Sequence, residues 1–313
     1  MPKQILSPLQ KREQIARRAI ASLGYNECVT YSFIDQAAAS LFGGGQDITK
    51  LDNPISTEMS HMRPDLLVGL LQAVSRNQDR GFFDMAIFEV GPAFHGGEPE
   101  EQHLQVAGLL VGTTGPKDVH GESRSVDLYD AKADVEAVLA ALGAPEKTLV
   151  LREGSEWWHP GRHGRICLGP KKILAVFGEL HPKILREMDV KGPAVAFTIW
   201  PEDIPIPRKS LATKPALLVN DLQAVERDFA FVVDQNIDSV TLVNAAAGVD
   251  KDLIENVRLF DEFTGGGLEE GKKSLAITVR LQPKNTTLKD DEIKEFSDKL
   301  IEKVIKTTGG DLR

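Results

Sequence analysis

The sequence predicts an α+β chain in two parts. The first is a mostly antiparallel sheet with helices packed on it; the second, shorter part has the element order βαββαβ. Three observations predict this. Apolar residues switch along the chain between a period near 3.6 and a period of two. Strand-like segments come in hairpin-like pairs, such as GRICLG and KILAVFGEL around Gly169-Pro170. Four prolines in 201–218, PEDIPIPRKSLATKPALL, interrupt both periods as a linker does. The division is therefore 1–200, a linker over 201–218, and 219–313.

The elements follow in order. Leu9, Ile15, Ala16, Ala19, Ile20 and Leu23 have helical spacing, with Ser7 as N-cap, Pro8 at the first helical position and Gly24 as the stop. ECVTYSFI (27–34) alternates like a strand. RPDLLVGLLQAVSRNQ (63–78) reads as a helix with Pro64 and Asp65 in its first turn. Strands are expected at 85–91, 103–112, 164–169, 172–180 and 194–200, and a helix over 127–144, closed by Gly143. In the second part, strands are expected at 226–234, 253–263 and 272–282. The last of these carries Leu275, Ile277, Val279 and Leu281 on one face. Helices are expected at 239–248 and 288–307, and GGDLR (309–313) supplies a short final strand. That order is the split-βαβ, ferredoxin-like arrangement.

Composition excludes several classes. The chain is 42% hydrophobic and 27% charged, ordinary for a globular protein. No run of about 18 apolar residues exists, so no membrane-spanning helix and no membrane partner is expected. The basic, amphipathic start (MPKQILSPLQKREQIARRAIASLGY) reads as a structural helix rather than a targeting peptide. Two cysteines, Cys28 and Cys167, make no disulfide framework, and a reducing cytoplasm is expected. The net charge of −9 argues against indiscriminate nucleic-acid binding.

GGGLEEGKKS (265–274) approaches a phosphate-binding loop, with Gly266, four residues, Gly271 and Lys272. Such a loop must run from a strand into a helix. Here the following segment has period two, Lys273 replaces the magnesium-binding hydroxyl, and Glu269 and Glu270 would repel a phosphate. The stretch reads as a hairpin tip whose glycines supply positive φ, with lysines beginning the return strand. His159 and His163 lie four apart, but Pro160-Gly161 prevents a helix and no third ligand is near, so no metal site is expected. His181 reads as a cap. Asn53-Pro54 and Arg63-Pro64 read as turn chemistry, and no serine or cysteine nucleophile motif is present.

Residues 219–313 hold 13 basic and 19 acidic side chains, a balance of −6, so RNA would be held only by a focused patch. Candidates are Lys272, Lys273, Arg280, Lys284 and Arg313, with Phe263 as an aromatic able to stack on a base. Pattern alone favours Phe263 in the hairpin core.

NPISTEMSHMRPDLLVGLL, IFEVGPAF, HPGRHGRI, GELHP, RDFAFVV, LFDEFTGGGLEEGKKSLA and TTLKDDEI occur in one order. Together they resemble the C-terminal part of the β subunit of bacterial phenylalanyl-tRNA synthetase, over essentially the whole chain. The resemblance implies that the first part is a class II synthetase-like module that has lost its chemistry. Pro92 and His95 in GPAFHG stand where a catalytic relative carries arginines, and no G-x-G-x-x-R occurs. It implies that the second part is a ferredoxin-fold anticodon-binding domain. No catalytic and no metal-ligating residue is expected in this chain; ATP and Mg²⁺ belong to the holoenzyme. The implied partners are a catalytic α subunit, in an α2β2 assembly packed through helices near 8–23 and 65–80, and tRNA-Phe. The family's β subunit is much longer, so the chain reads as an excised piece of it. By resemblance Asp261, Phe263, Ser274 and Arg313 contact the anticodon region. Lys272, Lys273 and Arg280 complete the expected tRNA-binding set. Phe263 stands where tyrosine is common, and it lacks the phenolic donor. The competing expectations are a complete single-chain synthetase, disfavoured by the missing arginines, and an interaction module without RNA contact, suggested by the net charge.

Overall fold

The computed structural model describes residues 5–115, 119, 121–206, 216 and 219–313. The chain forms two compact units, residues 1–210 and 211–313.

The first unit contains α1 (Pro8–Ser22), β1 (Asn26–Glu27), β2 (Phe33–Ile34), α2 (Gln36–Leu41), β3 (His61–Met62), α3 (Leu67–Gln78), β4 (Met85–Phe94), β5 (Gln102–Val111), α4 (Leu128–Ala141), β6 (Leu149–Leu151), β7 (Trp158–Leu168), β8 (Lys172–Leu180), α5 (Pro182–Glu187) and β9 (Ala194–Ile199). Seven strands form one sheet in the order β1-β4-β5-β9-β8-β7-β6. Every pairing is antiparallel except β1 with β4. Side chains alternate across a sheet, so each face builds its own core. On one face Leu109, Val111, Ala196 and Val176 pack with α2 and α3. On the other, Phe88, Val106, Phe177 and Phe197 pack with α1 and α4.

Local chemistry sets the helix ends. Ser7 and Gln10 form a capping box at α1, with Pro8 in its first turn. Asp127 caps α4, and His181 caps α5 by accepting from the Lys183 N–H. Leu67 is the first residue of α3, and Asp65 lies before it, accepting the Leu67 N–H at 2.9 Å. Gly69 lies in α3 because Thr30 packs against that point, and a Cβ there would collide with the Thr30 hydroxyl.

Three local expectations fail. Residues 27–34 are two short strands joined by irregular chain rather than one strand, because the Thr30 N–H and hydroxyl are drawn to the Glu89 carboxylate. The strand expected from 164 starts earlier: β7 begins at Trp158 and runs through Pro160-Gly161, with an irregular register against β8 between Trp158 and His163. The stretch expected as linker from 201 is bound at its start. Ile204 is buried, and the buried Arg12 guanidinium donates to the carbonyls of Pro201, Ile204 and Pro205 at 2.6–2.9 Å. Residues 207–215, 217 and 218 lie outside the described residues.

The second unit contains β10 (Val225–Asp234), α6 (Ser239–Ala247), β11 (Ile254–Phe263), β12 (Lys272–Leu281), α7 (Asp290–Thr308) and β13 (Asp311–Leu312). Its sheet order is β11-β12-β10-β13, all antiparallel. This is the ferredoxin-like arrangement. Leu275, Ile277, Val279 and Leu281 of β12 and Phe229, Phe231 and Val233 of β10 point to one face. There they bury against α6 and α7 through Leu242, Ala246, Phe296, Leu300 and Val304. The helices cover one face only, and the other is left open.

Candidate nucleic-acid interface

The open face is built by strand parity. Alternation puts the even-numbered residues of β10 and β12 on it: Glu226, Asp228, Ala230, Val232 and Asp234, and Lys272, Ser274, Ala276, Thr278 and Arg280. On the first part of β11 the same rule puts Val257 and Leu259 toward the helices, since Val257 pairs with Val279 and Leu259 with Ile277. A register shift between Leu259 and Asp261 then reverses the parity. Phe260 is the extra residue of a β-bulge. Beyond it Asp261 faces Ala276 and Phe263 faces Ser274, both on the open side. The period-two pattern favoured Phe263 in the core because it carries no sign of this bulge. Phe263 is instead 39% exposed.

β13 brings in the C-terminus. Asp311 pairs with Val232, and the Arg313 N–H donates to the Ala230 carbonyl at 2.9 Å. The Arg313 guanidinium lies 5.6 Å from the centre of the Phe263 ring, a cation–π contact. Four expected residues, Asp261, Phe263, Ser274 and Arg313, thus occupy two neighbouring rows of the open face. The rows are about 7 Å apart at strand spacing. Ser274 is buried in this setting, at 4% exposure, while Asp261 is exposed.

The other cations behave differently. Lys272 shares the open face, next to Ser274's row, but pairs with Asp234 at 2.9 Å, which holds its ammonium above the usual lysine range. Lys273 has the opposite parity. It lies on the helix side, is buried, and pairs with Glu262 at 3.3 Å. Arg280 is on the open face but six residues from Ser274, about 20 Å along the strand. Glu226 and Glu255 hold it at 2.9 and 2.5 Å and raise its pKa. Lys284 pairs with Asp252 at 3.1 Å. The structure therefore collects four of the seven expected residues, sets Lys272 beside them, and separates Lys273 and Arg280.

Two residues were missed by the sequence reading. Arg258 faces Thr278 on the open side, is exposed, and has no ion pair among the described residues. Phe260, the bulge residue, is 50% exposed. Only the register reveals either of them.

The hairpin tip between β11 and β12 carries Gly267 and Gly271 at φ +103° and +80°, the left-handed region expected of them. β12 follows directly, so there is no helix N-terminus to hold a phosphate. In the first unit Pro92 is a strand residue whose carbonyl accepts from Arg63 at 2.9 Å. His95 packs on His103 with ring centres 5.2 Å apart; burial and that neighbour hold its pKa down. Among the described residues no group of three His, Cys, Asp or Glu is placed to share a metal ion, and no helix is long and apolar enough to cross a membrane.

A family model described as the phenylalanyl tRNA synthetase beta chain CLM domain matches residues 1–200. The chain belongs to the phenylalanyl-tRNA synthetase β-chain family. A second model, the ferredoxin-fold anticodon binding domain, matches residues 221–313, the unit that carries the open face. The chain is 70% identical over 313 residues to the phenylalanine–tRNA ligase beta subunit of Ruegeria pomeroyi. It is 63% identical over 317 residues to that of Cereibacter sphaeroides and 46% over 315 residues to that of Rhodospirillum rubrum. Each match covers 100% of this chain and 39% of the relative, so the chain spans about two fifths of the length of these β subunits.

Proposed function

We propose that this chain serves phenylalanine–tRNA ligase as a noncatalytic scaffold joined to an anticodon-reading domain. The holoenzyme activates phenylalanine with ATP and Mg²⁺ and esterifies it to tRNA-Phe in the cytoplasm. Its catalytic α subunit, in an α2β2 assembly, does the chemistry. The observation that carries the reading is the open sheet face on which Asp261, Phe263, Ser274 and Arg313 converge. Phe263 stacks on an anticodon base, entering against its free side or displacing the Arg313 guanidinium. Asp261 and Ser274 take hydrogen bonds at a base edge, and Arg313 binds base or phosphate. Lys273 and Arg280 are structural pairs and contribute little to tRNA.

The first unit supports the noncatalytic role. Where a phosphate-gripping arginine would be needed, Pro92 and His95 are used in internal contacts. α3 is buried within its own unit from Leu67 to Leu71. The surface for the α subunit is therefore better sought at exposed apolar residues such as Val29, Tyr31, Ile55, Phe82 and Phe83, which are 51–92% exposed.

The test is tRNA-Phe affinity of the full enzyme. Phe263→Ala weakens it by about 1–3 kcal/mol, the value of one base–aromatic stack. Lys273→Met leaves it unchanged once the fold is verified. Equal affinity of the Phe263→Ala, Arg313→Ala and wild-type enzymes would leave the interaction-module reading, which the acidic balance favours.

A further inference from the structure

The glycines at the tip between β11 and β12 are not equivalent. Gly267 and Gly271 have φ +103° and +80°, and a Cβ at either would meet nothing within 4 Å. Backbone conformation is what asks for glycine there. Gly265 and Gly266 lie outside the left-handed region, so other residues can adopt their φ. Gly266 has open space around it, and Gly265 does not. A Cβ at Gly265 would stand 2.6 Å from Cζ, 3.0 Å from Cε2 and 3.3 Å from Cε1 of Phe263. The tip of the Phe263 ring occupies the volume that a side chain at 265 would need.

The same ring is met from the opposite edge of the sheet. Phe263 ends β11, one edge of the order β11-β12-β10-β13, and Arg313 follows β13 at the other. Those edges are three strand spacings apart, about 14 Å. The Arg313 guanidinium nevertheless lies 5.6 Å from the ring centre. Both side chains therefore lean inward over β12 and β10. Between them on the open side, Ser274 and Ala276 are buried, although no helix covers that face.

We propose that Gly265 is a positioning residue for RNA recognition. Having no side chain, it lets the Phe263 ring lie inward, where the ring meets Arg313 and offers a stacking surface above the sheet. The role rests on the reading of Phe263 as the residue that stacks on a base. A side chain already held in its binding orientation loses less rotamer freedom when the base arrives, so the preset ring contributes affinity through preorganisation. Gly265 acts only through the ring and touches no RNA itself. A methyl group at 265 tips the ring away, breaks its contact with Arg313 and leaves the fold intact, since the backbone there suits an ordinary residue.

The first test needs no RNA. In the 313-residue chain carrying isotope-labelled arginine, the Arg313 Nε–H resonance reports the ring beside it. Its loss in Arg313→Lys assigns it. Gly265→Ala is expected to move this resonance to the position it takes in Phe263→Ala, and Gly266→Ala to leave it in place. A resonance unmoved by Gly265→Ala in the folded chain overturns the proposal, whatever the effect on tRNA. The second test is tRNA-Phe affinity of the full enzyme. Gly265→Ala weakens binding by about fivefold or more, the lower end of one base–aromatic stack, and Gly266→Ala does not. In the Phe263→Ala background, Gly265→Ala has no further effect. An equal loss in that background would mean that RNA approaches Gly265 directly; it overturns the positioning role while the stacking reading stands. A moved resonance with wild-type affinity in Gly265→Ala, where Phe263→Ala does weaken binding, overturns the positioning role in the same way. Wild-type affinity in Phe263→Ala overturns the stacking reading, and the role of Gly265 in recognition with it.

Discussion

Arg63 shows what a single residue does in this fold. Its side chain is 2% exposed and pairs at 2.8 Å with Glu89, itself 4% exposed. The Thr30 hydroxyl accepts from Arg63 at 2.9 Å and donates to the other Glu89 oxygen at 2.7 Å. The Arg63 Nε donates to the Pro92 carbonyl. This closed network ties the start of α3 to β4. Arg63→Met therefore strands a buried carboxylate and costs about 3–5 kcal/mol in denaturant unfolding. Arg63→Met with Glu89→Leu recovers most of that loss. The sequence showed an Arg-Pro pair and suggested a turn, because all three partners, Thr30, Glu89 and Pro92, lie about 30 residues away and no local period links them. Asp65 gives a prediction of opposite sign. Burial raises its carboxyl to about 6 from 3.8. Between those values the folded state keeps a proton that the unfolded state has lost, so this group's contribution to stability falls as pH rises through the window. Asp65→Asn removes that dependence. The stability gap between variant and wild type should widen by about 2–4 kcal/mol from pH 4 to pH 7, a shift of roughly two units. A gap that stays constant with pH would place the ionised carboxylate in a solvated setting.

At the scale of the element, the second unit was legible wherever its periods were regular. The strand with Leu275, Ile277, Val279 and Leu281 inward, the amphipathic α7 and the βαββαβ order all follow from spacing. β11 was legible as a strand but not as a face, since a bulge is a property of two strands in register. Val257, Leu259, Asp261 and Phe263 form one period-two series, yet the shift at Phe260 divides it between the helix side and the open side. The bulge is thus what places Asp261 and Phe263 beside Ser274. Deleting Phe260 removes only the extra residue: Asp261 then follows Leu259 directly into the position opposite Ala276 and stays, with Phe263, on the open face. The deletion should therefore leave slow hydrogen exchange in α7 intact within the full chain, and its loss would show that the bulge itself holds the register. Phe260→Ala, which keeps the bulge at an exposed position, should change stability by no more than about 0.5 kcal/mol.

At the scale of the whole molecule, the net charge of −9 and pI near 5.4 constrain how the proposed RNA face would work. The cations on the open face are outnumbered. Lys272, Arg280, Arg258 and Arg313 share it with Glu226, Asp228, Asp234, Asp261 and Asp311, and two of the four are tied in ion pairs. Such a face gains little from neutralising phosphates and more from stacking and base-edge hydrogen bonds. Each phosphate contact on a single strand adds about 0.7 to the slope of log affinity against log salt concentration. Arg313→Ala in the full enzyme should therefore shift that slope by no more than about 0.7, while Phe263→Ala should lower affinity at every salt concentration and leave the slope unchanged. Measuring tRNA-Phe affinity across a salt series separates the two contributions. A slope change of two phosphates or more on removing Arg313 alone would mean that the face works as an electrostatic clamp. In that case Lys272 would exchange Asp234 for the RNA backbone, Arg258 would join it there, and Phe263 would be an accessory to charge rather than the centre of recognition.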